Sequence, residues 1–228
     1  MDHVKIAKQF ADWPFFNKNQ LTFIQLNCYI DMKATIVIVC ILLILVTAQF
    51  MIARSTDKTE QQKYTVLLAE DDFEIRYYPV AVIATVEHDG KKPRSGANDN
   101  FRRLAGYIFG GNQANQQIAM TAPVHMEATD NGNKMSFVMP SEMDLNDLPK
   151  PNDAGVTFSK TTEDTVAVLR FSGFASDADI EQKTEELKQL LAAKGISHTG
   201  NFKYLGYNPP YQLVDRRNEV VVSVHLNN

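Results

Sequence analysis

An uninterrupted apolar run at residues 34–53 constrains this chain more than any other feature. No charged residue lies between Lys33 and Arg54, and Ile, Val and Leu dominate the stretch. A helix of about 20 apolar residues is long enough to cross the roughly 30 Å hydrocarbon core of a bilayer. The chain therefore divides into this segment, a short stretch before it and a longer part after it that can fold as a globule.

Two interpretations of residues 32–53 are open, a signal peptide that is cleaved and a membrane anchor that is retained. The start at Met32-Lys33, the apolar run and Val46-Thr47-Ala48 are typical of a secretory signal, and we expect cleavage near Gln49. Residues 1–31 show no sustained hydrophobic period, and we interpret them as an upstream extension that the native protein does not carry. Residues 54–63 are polar and predict a linker to a domain at residues 64–228.

Charge and cysteine content argue against several functions. The chain carries 23 basic and 27 acidic residues, whereas nucleic-acid binding needs clustered lysine and arginine. Both cysteines, Cys28 and Cys40, precede the domain, which therefore has no disulfide and no thiol nucleophile. No P-loop, GxSxG or HExxH motif occurs in the sequence, and we predict neither a metal site nor catalytic residues.

The same order of elements occurs twice in residues 64–228. In each half two strands precede a helix, and further strands follow it. The predicted strands are 73–78, 80–87, 117–120, 124–128 and 134–139 in the first half, and 155–160, 165–171, 202–207 and 219–226 in the second. The helices are predicted at 99–109 and 177–194. This pattern predicts an α+β fold in which duplicated β-rich units form a distorted antiparallel β-barrel with two flanking helices.

The second predicted helix is explained by structure alone. Ser176 and Asp179 have the spacing of a capping box, and Gly195 follows the last turn. Ile180, Leu187 and Leu191 form one apolar stripe that is typical of a helix packed on a sheet.

The first predicted helix has a less ordinary outer side. The apolar face that we expect to pack on the sheet consists of Phe101, Leu104, Ala105 and Ile108. The other side carries Arg103, Gly106 and Tyr107, and a glycine on an exposed helix face costs roughly 1 kcal/mol relative to alanine. We interpret this side as a platform for a planar ligand, on which Tyr107 stacks and Arg103 contacts a carboxylate. Packing of another helix or loop there is the alternative.

Several short motifs stand out from this pattern: Phe73-Glu74-Ile75-Arg76-Tyr77-Tyr78, Met120-Thr121-Ala122-Pro123-Val124, Gly173-Phe174-Ala175, Gly206-Tyr207-Asn208-Pro209-Pro210 and Arg216-Arg217-Asn218-Glu219. Together they resemble the signature segments of the SOUL family of haem-binding proteins, and the similarity runs from about Tyr64 to Leu226. The resemblance implies the duplicated barrel architecture and a tetrapyrrole ligand. In that family haem lies against the first helix and neighbouring loops, which favours the platform.

The resemblance also bears on how the iron is held. In the family member known for histidine ligation, the histidine directly follows the arginine matched here by Arg76, and this chain has Tyr77 instead. Tyrosinate ligation by Tyr77 and binding through apolar contact alone both stay open. His125, next to Met126, is a further candidate ligand, although a packed strand residue is the alternative. Gln212 stands where some relatives place a basic residue, so one partner for a propionate is missing.

We therefore predict a non-enzymatic haem or porphyrin binder that carries or buffers tetrapyrrole. The alternative is a sensor or interaction module for small apolar ligands, because the architecture also resembles effector-binding domains and the axial histidine is missing. An enzyme acting on tetrapyrroles is a third possibility, by analogy only. We expect the domain to be periplasmic, or anchored through residues 34–53 and held outside the cytoplasm, with no nucleic-acid partner.

Overall fold

A computed structural model describes residues 18–89, 94, 96–130 and 132–225, and the chain divides into two compact units, residues 1–51 and 52–228. Residues 1–17 of the predicted upstream extension lie outside the described residues. Helix α1, Lys18–Asp57, forms most of the first unit and ends in the second. Within it, Met32–Thr56 is long and apolar enough to cross a membrane, a test that a signal sequence also passes.

The second unit contains one antiparallel sheet of nine strands. The strands are β1 (Thr65–Ala69), β2 (Glu74–Tyr78), β3 (Val82–His88), β4 (Val124–Thr129), β5 (Gly132–Val138), β6 (Thr157–Lys160), β7 (Asp164–Ser172), β8 (Ser197–Gly206) and β9 (Arg217–His225). Their order in the sheet is β1-β2-β7-β9-β8-β4-β5-β3-β6. The sheet does not close between its two edge strands, which is compatible with a distorted barrel, and the predicted α+β class is confirmed.

The strand order carries the signature of a duplication. Strands β2, β3, β4 and β5 of the first half correspond to β6, β7, β8 and β9 of the second. When each strand is replaced by its counterpart, the part of the order that runs from β2 to β6 reads the same in the opposite direction. Strands β4 and β8 pair at the centre and join the halves. Strand β2 pairs with β7 and β6 pairs with β3, so each half also lends one strand to the other.

Two helices pack on one face of this sheet. Helix α2, Ala97–Ile108, packs on the first half, and α3, Asp177–Ala193, packs on the second. Met126, on the central strand β4, contacts the apolar clusters of both helices, so both lie on the same side. The predicted faces are confirmed, since Leu104, Ala105 and Ile108 of α2 and the stripe of α3 are buried.

Two local predictions differ from the structure. Residues 117–120 form no strand, because the chain there follows the end of α2, where the amide of Ile118 donates to the carbonyl of Ile108. Strand β1 was not predicted, and its five residues are all exposed at the sheet edge. An exposed edge strand lacks the alternation of buried and exposed residues on which prediction from sequence depends.

The opposite face of the sheet is partly covered by residues 60–64, which we call the strap. The strap pairs with Ala122, whose amide donates to the carbonyl of Glu60 at 2.8 Å and whose carbonyl accepts from the amide of Gln62 at 2.8 Å. Its last residue, Tyr64, packs against the ring of Tyr78 with 5.4 Å between ring centroids. The strap thus links the end of α1 to a third apolar cluster, on the face of the sheet opposite the two helices.

Candidate functional site

Gly106 lies on the side of α2 that faces away from the sheet. Apart from the adjacent residues and the backbone of its own helix, no heavy atom lies within 4 Å of a Cβ atom built at Gly106, so no other part of the protein covers the helix surface there. The helix ends just beyond it, where Gly110 adopts a φ of 105° and the amide of Gly111 donates to the carbonyl of Gly106 at 2.8 Å. Phe109, three residues from Gly106, is 63% exposed. The sequence interpretation did not include Phe109, which belongs to this open strip.

Arg103 lies one turn before Gly106 and is held by a loop that precedes β6. Its Nε and Nη2 atoms donate to the two carboxylate oxygens of Asp153 at 2.7 and 3.1 Å. A Cβ at Gly155 would lie 1.7 Å from Nη2, so a glycine at that position leaves room for the guanidinium. The hydrogen bond from Arg103 is the main cause that lowers the pKa of Asp153 to about 2. Two of five N–H donors are used, and three stay available to an anionic ligand.

Tyr107 does not lie on the open side of α2, where it was predicted. Its side chain is buried, its hydroxyl donates to the carbonyl of Pro149 at 3.1 Å, and its ring packs on Phe158 with 5.1 Å between centroids. Burial raises the pKa of the phenol to about 12. The loop before β6 and Phe158 on β6 cover the side chain, in line with the alternative that another segment packs there, so Tyr107 cannot stack on a ligand at the open strip. Nothing in the local helical spacing indicates this long-range cover.

The remaining predicted residues lie elsewhere. Tyr77 is on β2, which four intervening strands separate from β5 in the sheet order, and its hydroxyl donates to Glu163 at 2.5 Å. That hydrogen bond is the main cause that raises the pKa of Tyr77. His125 is on β4, where its Nε2 atom lies 2.8 Å from Oε1 of Gln62 in the strap. Burial and then the charge of Lys203 lower the pKa of His125 to about 3. The five predicted residues therefore occupy three places.

A buried ionic network lies on the strap side of the sheet. Glu219 is fully buried and accepts from Arg76 Nη1 at 3.0 Å, from Arg217 Nη2 at 2.7 Å and from the hydroxyl of Tyr207 at 2.8 Å. Tyr64 lies over the guanidinium of Arg76, 4.2 Å from the ring centroid. Arg217 and Glu219 belong to one short motif of the sequence, but nothing in the sequence joins that motif to Arg76.

A second opening lies at the edge of the strap. It is a cavity of about 280 Å³ lined by strap residues, by residues 79–82 before and at the start of β3, and by residues 138–144 at the end of β5 and after it. Small-molecule sites usually measure roughly 300–1,000 Å³. In the described part of the chain, no group of three or more His, Cys, Asp or Glu side chains has a geometry that could hold a metal ion.

Known proteins match the globular part of this chain. A family model described as SOUL heme-binding protein matches residues 59–223. Heme-binding protein 2 of Mus musculus is 31% identical over 156 residues, which are 65% of this chain and 76% of that protein. Heme-binding protein 1 of Xenopus tropicalis is 28% identical over 155 residues, covering 65% of this chain and 81% of that protein.

Solved structures show the same fold at much lower identity. The EcmrR C-terminal domain has a TM-score of 0.52 at 10% identity and covers 72% of this chain and 99% of that domain. A hydrolase from Listeria innocua has a TM-score of 0.50 at 11% identity, covering 70% of this chain and 94% of that protein. At such identities the likeness concerns the fold alone.

Proposed function

This chain belongs to the SOUL heme-binding protein family, and on that premise we propose that it binds haem on the open side of α2 and carries or buffers it without converting it. The observation that carries the proposal is the open surface at Gly106, where no atom from outside the local helix backbone lies within 4 Å of a Cβ position. Curated relatives named heme-binding proteins support a role in binding.

The residues around Gly106 fit the chemistry of a tetrapyrrole. A planar macrocycle needs a flat apolar surface and a partner for its propionate carboxylates. The glycine lets the ring approach the helix backbone, the exposed ring of Phe109 supplies apolar area, and Arg103 retains N–H donors for one propionate. Bound haem would add an iron centre to this surface. The side chains named here would orient the macrocycle and hold a propionate.

The iron would have no histidine or tyrosine ligand from the predicted set. The hydroxyl of Tyr77 donates a hydrogen bond to Glu163, and a tyrosinate ligand would have to give up that hydrogen bond. His125 is hydrogen-bonded to Gln62 on the other face of the sheet from α2. We therefore propose that apolar contact and the propionate contact hold the macrocycle, and that its iron contributes little to affinity.

For the location, we propose that α1 tethers the domain to a membrane and that the domain lies outside the cytoplasm. The length and apolar character of Met32–Thr56 support a span. Cleavage near Gln49 is the alternative that the sequence favours, and it would release the same domain as a periplasmic protein. The intact mass of protein purified from membranes decides between them, because a mass that includes residues 34–48 requires retention.

Titration of the full-length protein with hemin and with metal-free protoporphyrin tests the binding proposal. We expect similar affinities for the two ligands and a bound-haem spectrum without the features of histidine ligation. Binding of hemin alone would require an iron ligand and would overturn the proposed mode. Conversion of hemin to a product would contradict the non-enzymatic role.

A sensor for small ligands is the second candidate function, and the cavity of about 280 Å³ at the strap favours it. The cavity is lined by both polar and apolar residues, among them Lys63, Met139 and Lys160. If the protein binds neither hemin nor protoporphyrin, this cavity becomes the preferred site. A ligand bound there would protect the strap from hydrogen exchange, which a ligand on α2 would not do.

A further inference from the structure

The cavity at the edge of the strap has an apolar inner wall. Val82, Val138 and Met139 line it, and all three are buried. Met143 also lines the cavity, and a thioether side chain adapts readily to the shape of a ligand. The cavity volume of about 280 Å³ lies at the lower limit of the roughly 300–1,000 Å³ that is usual for sites of drug-sized ligands. The cavity therefore suits the apolar group of a smaller molecule.

Most of the charged side chains that line the cavity are engaged with other groups of the protein. Lys160 Nζ lies 2.6 Å from Asp144 Oδ1, so these two side chains form an ion pair. Glu60 Oε1 accepts a hydrogen bond from the amide of Ser141 at 3.0 Å and ties the strap to the segment after β5. The charged lining residues that remain are one lysine and one glutamate.

These two residues, Lys63 and Glu142, are exposed and keep their charges available to a ligand. Among the described residues, neither side chain has an ion-pair partner, and Lys63 Nζ lies 3.5 Å from the hydroxyl of Ser141. Ser141 directly precedes Glu142 in the chain, so the two opposite charges lie at the same part of the cavity rim. Charged hydrogen-bonding groups bind most strongly to partners of opposite charge. The rim is therefore complementary to a ligand that carries both a carboxylate and an ammonium group.

We propose that this cavity binds a small zwitterion, an α-amino acid with an apolar side chain. Lys63 binds the carboxylate, Glu142 binds the ammonium group, and the apolar side chain lies against the inner wall. The site is additional to the proposed haem site, because no residue of α2 lines the cavity. It gives the second candidate function, the sensor, a ligand class and does not depend on haem binding.

Titrations of the full-length protein, followed by ligand NMR, test the two charge contacts with three probes. L-phenylalanine carries both charges, L-phenylalaninamide lacks the carboxylate, and N-acetyl-L-phenylalanine lacks the ammonium group. We expect each analogue to bind about fivefold more weakly than phenylalanine, which is the size of an exposed charge contact. K63A should bind phenylalanine and its amide equally, and E142Q should bind phenylalanine and its N-acetyl form equally. K58A removes the charge of an exposed lysine outside the cavity and should keep both preferences.

A blocking variant tests the cavity itself. Val80 lines the cavity and is 54% exposed, whereas Val66 on β1 is 45% exposed and lies outside it. V80W should abolish binding of phenylalanine, and V66W should leave it unchanged; if V80W does not fold, K63A and E142Q still decide. Saturating hemin should not release phenylalanine from the protein. Equal affinities for the three probes, no binding of phenylalanine, or its release by hemin would overturn this site, while titration with hemin alone still tests the haem proposal.

Discussion

The two halves of the sheet share one topology but carry different helices. Helix α3 begins with a capping box between Ser176 and Asp179 and carries two ion pairs on its surface, Lys183–Glu186 and Lys188–Glu185. Helix α2 is preceded by Gly96, which has a φ of 67° and gives no side-chain cap, and the helix contains the open Gly106. Both helices bury a leucine completely against the sheet, so the duplication is kept on the packed side and lost on the outer side.

The strap side of the sheet shows a second difference between the halves. The second half buries Glu219 between the guanidinium groups of Arg76 and Arg217. On the corresponding side of the first half, the hydroxyls of Thr85 and Ser136 share one hydrogen bond of 2.7 Å. Ionic groups thus stabilise one half internally, while the other half uses neutral groups. We expect loss of a charge to cost far more than loss of a hydroxyl.

The largest expected effect tests this ionic contrast. E219Q removes the carboxylate charge and leaves Arg217 in a mostly buried site with its counter-charge gone. Breaking a buried ion pair by removing one partner costs about 3–5 kcal/mol. We expect E219Q to lower the free energy of unfolding by that amount in a denaturant titration, while S136A costs about 1 kcal/mol. Equal losses of unfolding free energy in E219Q and S136A would show that the ionic network is solvated and that the two halves do not differ in how much these groups contribute to stability.

The next effect concerns β4, which joins the halves. The pKa of His125 in the folded protein is about 3, well below its usual value, so the unfolded chain takes up a proton at a higher pH than the folded chain does. Stability is therefore full above about pH 6.5 and falls as the pH drops toward 3, by an amount on the order of a few kcal/mol.

H125Q should remove this part of the pH dependence, because glutamine does not titrate and can still form a hydrogen bond with Gln62. Thermal melts between pH 7 and pH 4 of H125Q and wild type measure it, and S136A should keep the wild-type slope. The haem spectrum of H125Q should match that of wild type. A changed spectrum would place His125 at the iron and move the site to the strap side.

The next effect concerns haem binding, which should respond to a substitution in α2 but not to the equivalent one in α3. Counting from the buried leucines, Leu104 and Leu187, Gly106 and Gln189 occupy equivalent positions two residues further on, and both are exposed. G106L should weaken haem binding by about tenfold or more, or roughly 1.4 kcal/mol, because the side chain keeps the macrocycle away from the helix backbone. The same substitution should stabilise the fold by up to about 1 kcal/mol, since glycine is unfavourable in helices.

Q189L is the matched control and should change haem affinity little. Higher stability together with weaker haem binding in G106L would show that the glycine in α2 lowers stability but keeps the surface open for haem. If G106L and Q189L bind haem equally well, the open side of α2 is no binding site, and the comparison between the helices loses its functional meaning.

Local patterns predicted the elements that depend on them. The apolar stripes gave the buried faces of α2 and α3, and Ser176 with Asp179 predicted the start of α3. The burial of Tyr107 was not predictable, because Pro149, in the loop before β6, and Phe158, on β6, are both distant from it in the sequence. The contact of Arg76 with Glu219 could not be predicted for the same reason, since the two residues are 143 positions apart in the sequence. Sequence spacing predicts which residues share an element but not which elements meet.

The smallest expected effect concerns Arg103, one residue before Leu104. R103A removes the ion pair with Asp153, whose side chains are 33% and 41% exposed, so the loss of stability should be below about 1 kcal/mol at neutral pH. The pKa of Asp153 is about 2 when paired and returns toward its usual value in the variant. The pair therefore stabilises the protein above about pH 4, and its contribution disappears as the pH falls toward 2.

Wild type and R103A should accordingly differ in stability at pH 7 and converge below pH 3, which denaturant titrations at the two pH values measure. For haem, R103A should lose about fivefold in affinity, the equivalent of roughly 1 kcal/mol for an exposed charge contact. Glu186 stands at the equivalent place before Leu187 and pairs with Lys183, so E186A tests loss of a similar exposed ion pair on α3. If E186A lowers haem affinity as much as R103A does, the effect of Arg103 comes from general destabilisation, and the propionate contact must be assigned to another residue.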